Sequence, residues 1–307
     1  MRCRPVWPEK GCISLDKETA WKTAKAAQKV MCSLPYGMAV RLGGVLGILL
    51  WACSKKKVDG AERRCVRALS VGVTEARRIV RRSYANLGRS VAEFVSVGKA
   101  RSLLPSIVEI HGEEHLAKAF EKGKGVIFLS AHLGNWELGA AAVAARGYPM
   151  NAIGADQRDD RITDLIMANR SEFGVKTVSK GFDLKAAIRC LQRGEVLAIL
   201  IDQDVREKGV VVPFLGLPAS TPYGPVKIAQ RTRSVLLPVF MVRRGSSLRH
   251  DLHFLPSPWK DGYPEEGTDM ESAMTVCNDH VSRWIRSSPE QWMWLYPRWS
   301  STEGHGE

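Results

Sequence analysis

The sequence predicts an α/β fold with a mostly parallel central sheet flanked by helices, preceded by a basic, helical N-terminal region. Three observations predict it. Strand-like and helix-like segments alternate from about residue 105 onward, Gly125–Ser130 (GVIFLS) is typical of a buried strand bounded by glycine, and the positive charge is concentrated in the first third. The 307 residues are enough for one large domain or two small ones. We therefore expect a helical region over residues 1–104 and an α/β domain over residues 105–307.

The most apolar stretch of the N-terminal region lies over residues 34–53. Only Leu42 to Cys53 runs without a charge, and twelve helical residues extend ~18 Å, short of the ~30 Å that a spanning helix must cross. Lysines and arginines flank it on both sides, so no charge contrast sets an orientation. We expect it to associate with the cytoplasmic face of a membrane. A short span and a buried helix hairpin are the alternatives.

Helical periodicity continues from Val58 to Leu103, where Arg77, Arg78, Arg81 and Arg82 form a basic ridge. In the α/β part, strands are predicted at 107–111, 125–130, 150–154, 175–178, 196–201, 235–242 and 250–255. Helices are predicted at 112–122, 138–145, 162–173, 184–192, 222–231 and 271–285. Because ligands of such sheets bind beyond the carboxyl ends of the strands, the active site is expected there.

Charge and cysteine content limit the classes of partner and site. Residues 1–101 hold 21 Lys/Arg and 7 Asp/Glu, whereas the remainder holds 24 and 25. Such a basic block favours an anionic partner, which is nucleic acid, anionic lipid or an acidic protein. The seven cysteines form no C-x-x-C pair, so neither a metal nor a disulfide framework is expected.

The segment Ser130–Leu138 (SAHLGNWEL) carries the strongest chemical signal. Gly134 permits a sharp turn after the strand, and Asn135 is placed to cap the following helix. Residues five apart on a continuous helix point ~140° apart, so His132 and Glu137 meet only if the backbone bends between them. With that bend, the Glu137 carboxylate orients the imidazole and the other ring nitrogen acts as a general base. The spacing alone is equally compatible with a structural role.

The motif H-x-x-x-x-[DE], here HLGNWE, resembles the lysophospholipid acyltransferase superfamily, and specifically the lauroyl and myristoyl (late) acyltransferases of lipid A biosynthesis. Four further segments are similar to that family in amino-acid sequence and in their order along the chain: residues 193–204, 210–216, 219–224 and 288–299. The resemblance implies a glycerolipid acyltransferase-like fold and no cofactor or metal. It also implies transfer of a fatty acyl group from an acyl carrier protein thioester to a hydroxyl of a lipid A precursor, at the cytoplasmic face of the inner membrane.

The resemblance also implies the site. His132 is the expected base, with Glu137 orienting it, and the expected substrate-binding residues are Asn135, Arg158, Arg161, Asp202, Gln203 and Thr221. Many family members carry an arginine in a second block, but the matching position here falls near Asp156. Either Arg158 or Arg161 is expected to replace it, or the stabilising charge comes from elsewhere. For Asp202, capping of a loop is the alternative.

Other hypotheses stay open at this point. The acceptor is alternatively a lysophospholipid or another glycolipid, such as an acylated mannoside. A nucleic-acid-binding protein that uses the basic third is a hypothesis of another class, as is a hydrolase using His132 and Glu137 with metal or water. Four C-terminal tryptophans fit core packing better than an aromatic belt at a membrane surface; they are Trp284, Trp292, Trp294 and Trp299.

Overall fold

A computed structural model describes residues 16–154, 157, 159–178 and 184–303. Its centre is a seven-stranded sheet in the order β1-β9-β8-β2-β5-β3-β4, beside a two-stranded hairpin, β6-β7. Neighbours in the large sheet are parallel except β8 and β9, which confirms the mostly parallel sheet. The strands are β1 (Val108–His111), β2 (Val126–Ser130), β3 (Met150–Ile153), β4 (Val175–Val178), β5 (Val196–Leu200), β6 (Val210–Phe214), β7 (Leu217–Thr221), β8 (Val235–Arg243) and β9 (His250–Phe254).

Helices form the N-terminal region and cover both faces of the sheet. The first five are α1 (Lys17–Ser33), α2 (Tyr36–Cys53), α3 (Lys55–Leu69), α4 (Val73–Val95) and α5 (Val97–Ile107). The others are α6 (Glu113–Glu121), α7 (Trp136–Ala145), α8 (Asp160–Glu172), α9 (Leu184–Gln192), α10 (Gly224–Thr232) and α11 (Met270–Ser287). Strand β2 is buried on both faces: Ile127 and Leu129 belong to one apolar core, Val126 and Phe128 to the other.

The hairpin β6-β7 is the element that the sequence did not predict as strands. Each strand contains a proline, Pro213 and Pro218, and the two are directly paired. Proline lacks an N–H for the ladder, which weakens the strand signal and restricts such strands to edges. A two-stranded sheet outside the main one tolerates these prolines because it needs few ladder hydrogen bonds.

Helix α2 packs unusually close against α4 through glycine. A Cβ atom at Gly47 would lie 2.1 Å from the Tyr84 carbonyl oxygen, and one at Gly88 would lie 2.1 Å from the Gly43 carbonyl oxygen. The two backbones therefore touch where only glycine fits. Farther along, Arg77 of α4 stacks on Trp51 of α2 at 5.4 Å. The glycine contacts and the Arg77–Trp51 stacking together hold α2 along the length of α4.

The outward face of α2 is mostly apolar. Within the described part of the chain, α2 is the one helix long and apolar enough to cross a membrane, and one third of it is buried in the protein. Its exposed large apolar side chains are Met38, Val45, Leu46, Leu49 and Leu50, each 45–54% accessible, and Arg41 is exposed as well. The segment predicted at residues 34–53 thus forms a helix with an apolar face open to the surroundings, beside the exposed basic ridge of α4.

Candidate active site

The turn after β2 places His132 at the carboxyl end of the sheet. Gly134 has φ +64°, and a Cβ atom there would lie 1.8 Å from the Met241 carbonyl oxygen, so only glycine fits. Asn135 then caps α7, its Oδ1 accepting from the Leu138 N–H at 3.1 Å. The bend predicted from the sequence is therefore present, and it separates His132 from the helix.

Asp202 is the partner of His132. Strands β2 and β5 are parallel neighbours with Ser130 opposite Leu200, so residues 132 and 202 leave the sheet side by side. His132 Nδ1 lies 2.8 Å from Asp202 Oδ1, and the His132 backbone N–H donates to Asp202 Oδ2 at 2.8 Å. The indole N–H of Trp292 also donates to Oδ2, at 2.8 Å. The three residues form one hydrogen-bonded chain.

This chain sets the tautomer of His132. Burial would raise the pKa of Asp202, but the charge of His132 and the hydrogen bonds from His132 and Trp292 outweigh it, so that the pKa is lowered. Asp202 is therefore an ionised acceptor, and Nδ1 must carry the proton that it receives. The lone pair of the imidazole is then on Nε2, while the ring edge packs against Trp136 at 4.8 Å. Such a histidine is oriented to accept a proton.

Glu137 does not hold His132, which corrects the predicted pairing. Its carboxylate receives two hydrogen bonds from Arg170, at 2.9 Å from Nε and 2.6 Å from the second guanidinium nitrogen. The first turn of α7 directs Glu137 toward α8, whereas Asp202 reaches the imidazole from the neighbouring strand. Both members of this pair are largely buried, with 15% of Glu137 and 10% of Arg170 exposed. The sequence did not identify Arg170, which lies outside every motif considered.

Two predicted substrate-binding residues make internal hydrogen bonds. Asn135 is buried, with Oδ1 on the α7 cap and Nδ2 donating to Glu93 at 2.7 Å. Thr221 is fully buried, and its hydroxyl accepts from Arg298 at 2.5 Å and from the Asn278 amide at 3.1 Å. The Asn135 amide and the Thr221 hydroxyl thus make hydrogen bonds within the protein. Direct contact with substrate stays a prediction for both residues.

The remaining predicted residues lie on loops or at a helix start. Gln203 is half-buried beside Asp202. Arg161 forms ion pairs with Asp159 and with Glu18 of α1, at 2.8 and 2.7 Å. Arg158 lies outside the described residues. A substrate-binding role for these three residues stays a prediction.

The C-terminal segment, residues 288–303, completes the site. The Gly134 N–H donates to the Gln291 carbonyl at 3.0 Å, and the Met293 N–H donates to the His132 carbonyl at 3.1 Å. Trp292, Trp294 and Trp299 are buried, which confirms core packing for these three. Trp292 nevertheless belongs to the site through its bond to Asp202, and its place in the segment SPEQWMWLYPRW was the only sequence signal for it.

A separate group of histidines lies on the edge strand β1 and its neighbour β9. Among the described residues, one group offers three potential metal-ligand atoms within 4.8 Å of one another, from His111 of β1 and from Asp251 and His253 of β9. Arg244 already bonds both oxygens of Asp251, at 2.5 and 2.8 Å, and His111 lies 2.9 Å from one of them. A guanidinium so close opposes a bound cation. We interpret the group as an ion-pair network at the sheet edge.

The chain matches known proteins over almost its whole length. A family model described as bacterial lipid A biosynthesis acyltransferase matches residues 15–301. The chain belongs to this family. The acyltransferase is 26% identical to the lipid A biosynthesis lauroyltransferase of Escherichia coli over 89% of this chain and 88% of the relative. It is 21% identical to the lipid A biosynthesis acyltransferase of Haemophilus influenzae, over 87% and 83%.

Relatives outside lipid A biosynthesis match as well. A phosphatidylinositol mannoside acyltransferase of Mycobacterium tuberculosis is 24% identical over 62% of this chain and 59% of its own. The solved 1-acyl-sn-glycerophosphate acyltransferase PlsC of Thermotoga maritima is 14% identical with a TM-score of 0.39, over 80% of this chain and 97% of that one. Family membership confirms the resemblance drawn from HLGNWE. It also makes the chain an acyltransferase.

Proposed function

We propose that this acyltransferase moves a fatty acyl group from an acyl carrier protein thioester to a hydroxyl of a lipid A precursor, with His132 as general base. One observation carries the proposal: Asp202 and Trp292 fix the tautomer of His132 at the carboxyl end of β2. Membership of the lipid A family supports the acceptor. The alternative acceptors are another glycolipid, favoured by the mannoside acyltransferase relative, and a lysophospholipid.

The reaction needs one base and no covalent intermediate. Nε2 of His132 takes the proton of the acceptor hydroxyl while its oxygen attacks the thioester carbonyl carbon, giving a tetrahedral oxyanion. Collapse of the oxyanion breaks the C–S bond, and the imidazolium returns the proton to the departing thiolate. The products are an ester and the free carrier thiol. Asp202 stabilises the imidazolium formed between these two proton transfers.

The same proposal places the protein on the cytoplasmic face of the inner membrane, with α2 lying in the surface rather than across it. At its midpoint α2 is pressed against Arg89 of α4: a Cβ atom at Gly44 would lie 2.9 Å from the Arg89 Nε. A spanning α2 would carry this arginine toward the bilayer centre, at a cost of about 2.5–3.5 kcal/mol for each such charge. An in-plane α2 buries its apolar face among acyl chains and leaves the arginines with headgroups.

The basic surface then has a defined task. Arg77, Arg78, Arg81 and Arg82 are all exposed and lie on the helix that α2 packs against. Anionic headgroups attract such residues by about 1 kcal/mol each near the surface. An acidic carrier protein is attracted by the same charges.

Acyl transfer by the purified chain in detergent tests the proposal. Acyl carrier protein and coenzyme A thioesters are offered with a lipid A precursor, a lysophospholipid or a phosphatidylinositol mannoside, and products are identified by mass spectrometry. We expect product from the carrier thioester and the lipid A precursor, and none from His132→Ala. Product on another acceptor alone would reject the lipid A precursor as acceptor and would leave His132 as the base. Transfer that survives in His132→Ala would disprove the base.

A further inference from the structure

A charged residue lies in the interior behind the active-site turn. Glu93 of α4 is fully buried, and its side chain pairs with Arg243 of β8, whose side chain is 1% exposed. The guanidinium donates to both carboxylate oxygens, at 2.7 and 2.6 Å, and His250 of β9 lies 3.1 Å from Oε1. Because a buried ion pair is seldom the most stable filling for a core, its presence calls for another explanation.

The charges in this cluster are settled. Burial would raise the pKa of Glu93, but the hydrogen bonds from His250 and Arg243, together with the charge of Arg243, lower it to about 2. Burial, the largest effect, lowers the pKa of His250, so its imidazole is neutral and Nε2–H donates to Glu93. The cluster therefore contains one carboxylate and one guanidinium, and the carboxylate has acceptor capacity beyond them.

The remaining capacity of Glu93 is directed to the active-site turn. Asn135 Nδ2 donates to Glu93 Oε2 at 2.7 Å, while the other end of the same amide caps α7. Two further α4 residues bond the carbonyl oxygen of Gly134, Ser90 at 3.1 Å and Asn86 at 3.4 Å. Asn86 also accepts from Arg243 at 3.2 Å. One turn, residues 134–135, is thus bonded on its inner side by α4 through a single network.

We infer that Glu93 is a positioning residue for catalysis: through Asn135 it fixes the turn that presents His132 to Asp202. His132 is only two residues from Gly134, so a displacement of the turn displaces the imidazole. A carboxylate accepts more strongly than a neutral group, and its hydrogen bond to Asn135 leads to a turn with a single geometry. The inference deepens the proposed function, because the base that it positions is the one assigned there.

The network also ties the base to the apolar helix. Helix α4 carries Glu93 on one side and touches α2 on another, at Gly43 and Gly47. Tyr36, the first residue of α2, is buried close enough to Glu93 that the carboxylate contributes, after burial, to raising the pKa of the phenol. The surface that we place on the membrane and the turn that holds the base are therefore opposite sides of one rigid helix pair.

A matched pair of variants tests the inference. Asn135→Ser keeps a good cap on α7 and removes the donor to Glu93. Its control is Asn151→Ser, because Asn151 is also buried and donates to a buried glutamate, Glu195, at 2.8 Å, which in turn pairs with Arg193. That second pair lies at the amino ends of β3 and β5, away from His132. Comparable losses of melting temperature are expected in both variants.

The first measurement does not depend on the reaction. In ¹⁵N-histidine-labelled protein in detergent, with His132 assigned by its loss in His132→Ala, the Nδ1–H signal reports the bond to Asp202. We expect that signal to exchange with water at least threefold faster in Asn135→Ser and to be unchanged in Asn151→Ser. Unchanged exchange in Asn135→Ser would overturn the inference. A change without any acyl transfer by the wild-type protein would leave it standing and reject the proposed function instead.

The second measurement is the rate. Asn135→Ser is expected to lower kcat at least tenfold with KM within threefold, since the turn positions the base rather than the substrate, while Asn151→Ser stays within twofold in both. A folded Glu93→Gln protein should resemble Asn135→Ser both in the exchange rate of the His132 Nδ1–H and in kcat. Equal loss of kcat in Asn135→Ser and Asn151→Ser would show that the two networks only stabilise the fold, and would overturn the inference.

Discussion

Replacing Asp202 with asparagine tests the site most sharply, because the shape of the side chain stays while its atoms change roles. Asp202 is buried and accepts three hydrogen bonds of 2.8 Å. Oδ1 receives the Nδ1–H of His132, and Oδ2 receives the His132 backbone N–H and the Trp292 indole N–H. An amide has one oxygen, so its NH₂ group must face one side or the other.

The two orientations differ in free energy. With the amide oxygen toward Nδ1, the NH₂ faces two buried N–H donors, each of which loses its acceptor at about 1–3 kcal/mol. With the oxygen in the Oδ2 position, both donors are satisfied, and the NH₂ donates to Nδ1 instead. The second orientation is favoured by roughly 2–6 kcal/mol, or about 30- to 25,000-fold. It moves the proton of His132 to Nε2, where no substrate proton can then be accepted.

We therefore expect Asp202→Asn to reduce kcat by about 10³- to 10⁴-fold, the wrong tautomer and the lost stabilisation of the imidazolium acting together. Initial rates of acyl transfer give the loss, and circular dichroism in the same detergent shows whether the protein is folded. Glu137→Gln, measured alongside, tests the pairing predicted from the sequence. A folded Asp202→Asn protein with less than a tenfold loss, or a greater loss in Glu137→Gln, would refute the assignment.

Three other properties follow from the structure. Gly47→Ala places a methyl group 2.1 Å from the Tyr84 carbonyl oxygen, so we expect about 1–3 kcal/mol of destabilisation in urea titrations, whereas Gly224→Ala, with open space around it, should change little. The pKa of Glu93 is lowered from 4.5 to about 2, so ionised Glu93 contributes on the order of 3 kcal/mol to the free energy of unfolding above about pH 4.5. This contribution is lost as the pH falls toward 2. A free energy of unfolding that stays constant across that range would contradict the buried ion pair. The double variant Leu49→Asp and Leu50→Asp replaces two exposed apolar side chains of α2. It should weaken sedimentation with anionic phospholipid vesicles at least tenfold while leaving the melting temperature within a few degrees. Vesicle binding equal to that of the wild type would argue against the in-plane helix.

Local sequence patterns predicted most of the fold. The strand at 175–178 and the helix at 184–192 have the predicted bounds, and most other elements of the α/β part agree within about two residues, because each is a short periodic run between glycines or caps. The hairpin β6-β7 escaped because proline interrupts both of its strands. The turn at Gly134 was predicted because its glycine and its cap are adjacent in the sequence.

Local sequence pattern could not predict which carboxylate bonds to His132. Spacing favoured Glu137, five residues from His132, whereas the bonded carboxylate is 70 residues away and is brought there by the pairing of β2 with β5. Two parallel strands that end in His and in Asp were a usable signal once their register was known. Glu93 and Arg243, 150 residues apart, had no such signal, because nothing near either residue indicates a buried charge.

The position of Trp292 has a consequence for the nascent chain. The indole that completes the Asp202 network is added 90 residues after Asp202 itself. At about 5–20 residues per second, the ribosome takes roughly 5–18 s to cover that distance. During this interval α2 and His132 have already been synthesised, but Asp202 still lacks the hydrogen bond from the Trp292 indole N–H. His132 is therefore synthesised well before the donor that completes its network with Asp202, and this network can form only after Trp292 has been added.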